Sequence, residues 1–231
     1  MINDIIFRAI FGGEGSKKRL KHLLNSILRE FGEKEIIDLK LLNPFSEEKT
    51  VTEKTIIMDI KATDSDGRLI NIEVQLNTTE FFKNRMIFYN SKMLCSKLKK
   101  GEDYSKLPRI ITIAIIGDSI LLPDEKNLHN VYRYKNIRSN NEFCNLTEIQ
   151  IIELIKFDRN KNRGKMTDFE KWLYFLKFGD EILEDINLLP IEIQETEEIM
   201  EAINKFFEVT ANDKLMWEIE ARQKAEHDRI S

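Results

Sequence analysis

Asp59, Glu73 and Gln75 are the residues of this 231-residue chain whose types and spacing best suit chemistry. They sit in "MDIKATDSDGRLINIEVQL" (58–76), together with Lys61 and Asn71. Two carboxylates brought together are hard oxygen ligands for a divalent cation such as Mg²⁺, which takes one or two carboxylates and completes its shell with water and phosphate. Without a cation, two carboxylates directly opposed across a strand pair destabilise it. Lys61, on the same polar set, offsets that repulsion only in part.

Whether the two carboxylates meet depends on strand parity. Ile56, Met58, Ile60 and Ala62 alternate with Ile57, Asp59, Lys61 and Thr63; Ile70, Ile72, Val74 and Leu76 alternate with Leu69, Asn71, Glu73 and Gln75. Period two gives each strand an apolar face and a second face carrying the polar residues. The register must bring the apolar sets to one side. A two-residue Asp66-Gly67 turn pairs Asp59 with Val74 and mixes the faces. A three-residue loop, Ser65-Asp66-Gly67, fits a type I turn closed by a left-handed Gly and a bulge. It pairs Asp64 with Arg68, Lys61 with Asn71 and Asp59 with Glu73. A five-residue loop keeps the faces and shifts the pairing by two. The polar face then has two readings, a solvated face or a metal-holding face.

The flanking elements follow from periodicity. "INDIIFRAIFG" is helical and stops at Gly12-Gly13. "SKKRLKHLLNSILREFG" is a second helix, with Ser16 at the N-cap, an apolar stripe from Leu20 to Leu28, and Gly32 at its end. "EIIDLKLLNPF" (35–45) reads as a strand closed by Asn43-Pro44 and "SEEKTVTEK" as a loop. "TEFFKNRMIFYNSKMLCSKLKKG" (79–101) reads as a helix capped by Thr79 and stopped by Gly101. "RIITIAIIG" (109–117) is apolar on both parities, the pattern of a strand buried on both faces. "LHNVYRYKN" and "LTEIQIIELIKF" are weaker strands. From about residue 165 the pattern is helical, through "DFEKWLYFLKF", "ETEEIMEAINKFFEV" and "DKLMWEIEARQKAEHDRIS". The last helix has no stop signal, so relatives are expected to continue further. Trp172 and Trp217 fall in apolar helical patterns and are expected in a core or interface.

Composition narrows the function classes. Hydrophobic residues make up 42% and charged residues 33%, an ordinary globular mix. No apolar run approaches the roughly 18–20 residues of a membrane span, and the N-terminus lacks a secretion-signal pattern. Cys95 and Cys144 have no CxxC spacing, and three scattered histidines give no triad or His-rich metal site. The cysteines read as idle thiols of a reducing compartment, so the expected location is the cytoplasm. The net charge of −4 is unevenly spread: residues 1–117 carry 20 Lys+Arg against 16 Asp+Glu, and residues 118–231 carry 16 against 24. The first part is thus mildly basic, which permits a nucleic-acid partner without requiring one.

Arg85, Tyr89 and Lys92 share one helix face at i, i+4, i+7; phosphate contact and a solvated face are both open for them. Lys17, Lys18 and Arg19 open a helix and can meet phosphates, although a solvated helix face explains them as well.

The order of elements, with Asp on one strand and E-x-Q on the next, resembles the core of PD-(D/E)XK nucleases, the restriction-endonuclease-like fold. More narrowly, "NDIIFRAIFGG", "LLNSIL", "IMDIKATDSDGRLINIEVQL", "FFKNRMIFYNSKMLCSKLKKGEDYSKL" and "RIITIAIIG", spanning about 3–117, resemble the PD-(D/E)XK family transposases, the Rpn-type recombination-promoting nucleases. The resemblance implies an α/β fold, an αβββαβ core with a mixed sheet flanked by helices over 1–160, and an acidic helical C-terminal region over 161–231. It implies a Mg²⁺-dependent DNA endonuclease of little sequence specificity, with Mn²⁺ able to substitute, linked to recombination or mobile elements. Asp59 and Glu73 stand at its metal-ligand positions, Asp4 at that of a further acidic ligand on the first helix, and Gln75 where the general pattern has Lys. Lys61 can partly replace that missing charge. Met58 stands where the motif's Pro would be. Cutting both strands calls for two sites, hence a homodimer or higher assembly on DNA, away from membranes. The alternative is a catalytically weak or inactive DNA-binding accessory module that keeps the nuclease fold, which the Gln75 departure favours.

Overall fold

The N-terminus begins with a side chain that captures a backbone donor. Asn3 Oδ1 accepts from Ile6 N at 2.9 Å and starts α1 (Asp4–Phe11). Gly12 ends it: a Cβ there would meet Arg8 O at 2.7 Å. The helix α2 (Lys17–Arg29) follows. Ser16 stands at its N-cap position but makes no side-chain cap; its hydroxyl donates backward, to Gly13 O at 2.6 Å and to Phe11 O. The structure is a computed structural model, and it describes residues 2–42, 60–98, 101–160, 165–212 and 217.

The remaining elements are β1 (Leu39–Leu42), β2 (Ile60–Asp64), β3 (Leu69–Gln75), α3 (Phe82–Cys95), β4 (Ile110–Ile116), β5 (His129–Lys135), β6 (Glu142–Glu153), α4 (Asp168–Glu184), α5 (Ile191–Gln194) and α6 (Glu197–Thr210). The strands form one mixed six-stranded sheet in the order β1-β2-β3-β4-β6-β5. β1, β2 and β3 are antiparallel neighbours, β3, β4 and β6 run parallel, and β5 returns antiparallel to β6. This is the expected α/β architecture with helices on both sheet faces.

Alternate residues of the strands send their side chains to opposite faces. Ile70, Ile72, Val74, Ile111, Ile113 and Ile115 face the larger core, shared with α1, α2, α4 and α6. Leu69, Ala114, Ile116 and Ile151 face α3, through its Phe82, Met86 and Met93. β4 is buried at every position because both its faces are covered. Side chains from Phe169 to Val209, in the C-terminal helical region, lie in the same core as α1 and α2. Trp172 is fully buried there, with Nε1 donating to His22 Nδ1 at 2.9 Å, whereas Trp217 is 70% exposed. The other residues of the expected helix over 213–231 and the expected loop "SEEKTVTEK" lie outside the described residues.

α3 is shorter than its periodicity implies. Thr78 N donates to Ser119 Oγ at 2.9 Å, which ties the chain before α3 to the loop after β4. Helical backbone therefore begins at Phe82, and Thr79 supplies only its carbonyl, to Phe82 N at 3.0 Å. The helix ends at Cys95, and Gly101 lies beyond it in a left-handed conformation.

A buried histidine sets an acid sensitivity. His129 on β5 packs edge-on to Phe31 at 4.7 Å and lies 5.2 Å from the Phe169 ring. Its Nε2 lies 3.0 Å from Gln150 Oε1. Burial pushes the imidazole down from 6.5 to about 4, and the Gln150 contact opposes that only weakly. The unfolded chain takes up this proton near pH 6.5 and the folded chain does not, so stability is lost as the pH falls from about 6.5 towards 4. Between pH 7.5 and pH 5 the group removes about 2 kcal/mol. Urea unfolding of His129→Leu at both pH values should show a pH dependence smaller by that amount; identical pH dependence in variant and wild type would refute it.

Candidate active site

The β2–β3 hairpin turns through Ser65-Asp66-Gly67. Asp64 N donates to Arg68 O at 3.2 Å, Gly67 N donates to Asp64 O at 3.1 Å, and Gly67 takes φ +80°. That positive φ is what a Gly supplies without strain. The Asp64 carboxylate fastens the turn, accepting from the backbone N of Asp66 and Arg68 and from Arg68 Nε. The register follows: Lys61 opposite Asn71 and Ile60 opposite Ile72. Asp59 itself lies outside the described residues.

α3 covers the polar face of β3, so a solvated face is not what forms. Asn71 is fully buried and Glu73 is 4% exposed. One row of side chains runs Glu73–Ala114–Ile151 across β3, β4 and β6, and small Ala114 leaves the carboxylate beneath the helix. Glu73 Oε1 accepts from Arg85 Nη2 at 2.5 Å. Glu73 Oε2 is buried and has no hydrogen-bond partner among the described residues. Burial raises the Glu73 carboxyl above its ordinary range; Arg85 opposes the rise, and the negative charge of Asp4 adds to it.

Asp4 is half-buried in the first turn of α1, and Arg8 Nη2 lies 3.2 Å from its Oδ2. Arg85 is a third exposed, and its guanidinium lies 4.8 Å above the Phe82 ring. Tyr89, one turn on, is half-buried; burial and then Glu73 push its hydroxyl up, so it stays protonated at neutral pH. Lys92, Lys61 and Gln75 are half-buried, Gln75 at the end of β3. Arg85 and Tyr89 are therefore gathered at Glu73, as the helix face requires. The basic start of α2 is engaged elsewhere: Lys17 with Glu14 at 2.7 Å, Lys18 with Glu197 at 2.7 Å, and Arg19 with the carbonyls of Ile10 and Gly15.

Two supporting groups escaped the sequence reading. Asn90, buried next to Tyr89 in sequence, donates to Thr112 Oγ1 at 3.0 Å and to Glu148 O at 3.2 Å, pinning α3 to β4 and β6. Its signal, one of two Asn in the helix, is indistinct. Arg8 has a readable one, i+4 from Asp4.

Among the described residues no group of three or more His, Cys, Asp or Glu is poised to hold a metal. The donors present still fit a hard cation. A buried carboxylate oxygen without a partner, under the field of a second carboxylate, is what a divalent ion satisfies. Among the described residues no helix is long and apolar enough to cross a membrane.

The whole chain, residues 1–231, matches the family model described as PD-(D/E)XK nuclease family transposase. No curated protein and no solved structure matches it.

Proposed function

Because this chain belongs to the PD-(D/E)XK nuclease family transposases, we propose that it is a Mg²⁺-dependent DNA endonuclease of little sequence specificity, with Mn²⁺ able to substitute. The observation that carries this is the Glu73 carboxylate, buried under α3 with one oxygen on Arg85 and the other unpartnered. A bound divalent cation lowers the pKa of a coordinated water and neutralises charge on the scissile phosphate.

The chain's own residues then have distinct tasks. Asp59 and Glu73 would hold the cation, with Asp4 as a further acidic donor. Arg85 is released from Glu73 and turns its fork of donors onto a phosphate, for which guanidinium geometry is suited. Tyr89, kept protonated, donates its O–H to the same strand. Gln75 orients the attacking water by its amide dipole and supplies no charge, and Lys61 on the neighbouring strand partly makes up for the missing charge. Lys92 extends the basic face of α3. Lys17, Lys18 and Arg19, at the start of α2, are further candidate phosphate contacts. The nuclease-like core spans 1–160 and the acidic helical region 161–231. Double-strand cleavage calls for two sites, so the acting form on DNA is a homodimer or larger, in the cytoplasm.

The neutral Gln75 favours a second reading, a DNA-binding accessory module with weak or no catalysis. Plasmid nicking decides between them, with purified protein at low salt in Mg²⁺, Mn²⁺ or EDTA, beside Asp59→Ala and Glu73→Ala. Metal-dependent nicking lost in both variants supports the nuclease. Folded wild-type protein that binds DNA and nicks with neither metal supports the accessory module.

A further inference from the structure

The hairpin of β5 and β6 carries an arm that the core does not use. Tyr132 pairs with Ile149, but the next pair is Tyr134 with Cys144, so Arg133 alone spans residues 145–148. Such an irregularity bends the strands and re-aims the side chains beyond it. Past the bend Tyr134 is 59% exposed, Phe143 85% and Ile137 fully exposed. All three belong to one hairpin end, and clustered exposed apolar side chains mark interaction sites.

The tip is stiff. Asn136 Oδ1 accepts from the backbone N of Arg138 and Ser139, Asn136 N donates to Asn141 O at 2.8 Å, and Asn140 takes φ +58°. A cleft of about 380 Å³, lined by Tyr134, Lys135, Asn141 and Phe143 among others, opens beside it. That is at the small end of the roughly 300–1,000 Å³ typical of ligand clefts. The charge is also local. Arg133 turns inward to Glu33 and Glu148, while Lys135 and Arg138 are exposed, within a stretch of the chain that is otherwise strongly acidic. Exposed aromatic faces interleaved with cations on a hydrogen-bonded turn match a nucleic-acid strand, whose bases stack and whose phosphates are anionic.

We propose that this arm is a second nucleic-acid contact, binding unpaired nucleotides, with Tyr134 and Phe143 stacking on bases and Lys135 and Arg138 meeting phosphates. The choice of DNA rests on the nuclease reading above. The arm is a separate surface. Its root, Tyr132, shares a row and a sheet face with Ile149, Thr112 and Asn71, three strand spacings or about 14 Å from β3, with α3 packed on that face between them. Stacking tolerates any base, consistent with little sequence preference.

The test uses the full chain in EDTA, with fluorescence anisotropy of a labelled oligo-dT and of a duplex of equal length. Tyr134→Ala/Phe143→Ala should weaken oligo-dT binding by at least about tenfold, from two stacking contacts, and duplex binding by less than about twofold. Tyr134→Phe/Phe143→Tyr should bind like wild type. Lys135→Ala/Arg138→Ala should weaken both ligands and flatten the salt dependence. Unchanged oligo-dT affinity in the alanine variants overturns the proposal, as does wild-type protein that does not bind oligo-dT. A changed sedimentation coefficient with unchanged DNA affinity overturns it too, and assigns the arm to contact between copies. Plasmid nicking by the same preparation judges the nuclease reading separately, since the arm can fail while Glu73-dependent nicking persists.

Discussion

Glu73→Gln will abolish metal-dependent nicking while leaving the metal-free protein as stable as wild type, or more stable by up to about 1 kcal/mol. The activity loss follows from removing a charged oxygen donor. Several kcal/mol of transition-state stabilisation go with a correctly held cation, so a loss of about 10³-fold or more is expected. The stability result follows from the site's electrostatics. Glu73 is buried, only one of its oxygens is paired, and Asp4 repels it. Glutamine keeps the shape and removes the buried charge. Arg85, a third exposed, can turn to water when its partner goes. The pH sign is fixed. Because the folded carboxyl lies above its ordinary 4.5, the wild type is relieved as Glu73 takes up a proton on acidification. Any gain from Glu73→Gln is therefore present at neutral pH and disappears as the pH falls through the raised folded value towards 4.5. Nicking assays and urea unfolding in EDTA measure the two halves. A loss of more than about 2 kcal/mol would make Glu73 a structural ion-pair partner and weaken the functional reading.

Glu148→Ala is expected to destabilise the fold by about 3 kcal/mol or more, without touching the Glu73 carboxylate. The Glu148 side chain is completely buried. Its Oε2 accepts from Arg109 Nη2 at 2.8 Å and from Arg133 Nε at 2.5 Å, and its Oε1 accepts from Gln150 Nε2 at 2.6 Å. Glu33, just after α2, binds both guanidinium groups from the other side. Removing Glu148 leaves two neighbouring cations, each largely out of water, with only Glu33 and a 3.5 Å contact from Arg133 to Glu142 to balance them. For a chain of this size, that loss lowers the melting temperature by about 6–12 °C. Thermal unfolding checks it. A shift under about 2 °C would mean that Glu33 and Glu142 satisfy both arginines without Glu148. The base of the β5–β6 arm leans on this cluster through Arg133, so the arm's nucleotide binding should be tested in variants that leave it intact.

Much of the molecule is written locally. The hairpin's period-two alternation and its Asp66-Gly67 turn admit a register that keeps the apolar faces together, and Lys61 does stand opposite Asn71. The doubly apolar run of β4 announces a strand covered on both sides, and the order of elements announces an α/β fold. Each of these depends on residues close in sequence, whose side-chain directions follow from backbone geometry alone. Parity, however, states which residues share a face and not what lies on it. That α3 buries Asn71 and Glu73 was decided by tertiary packing of Phe82, Met86 and Met93 against the sheet. The start of α3 was decided by Ser119, some 41 residues from its partner Thr78. The ring of Glu33, Arg109, Arg133 and Glu148 joins charges up to 100 residues apart. In the sequence each is one more surface-type charge. They become a buried network only when the loop after α2, the residue before β4, β5 and β6 converge and exclude the water that would otherwise solvate each of them singly.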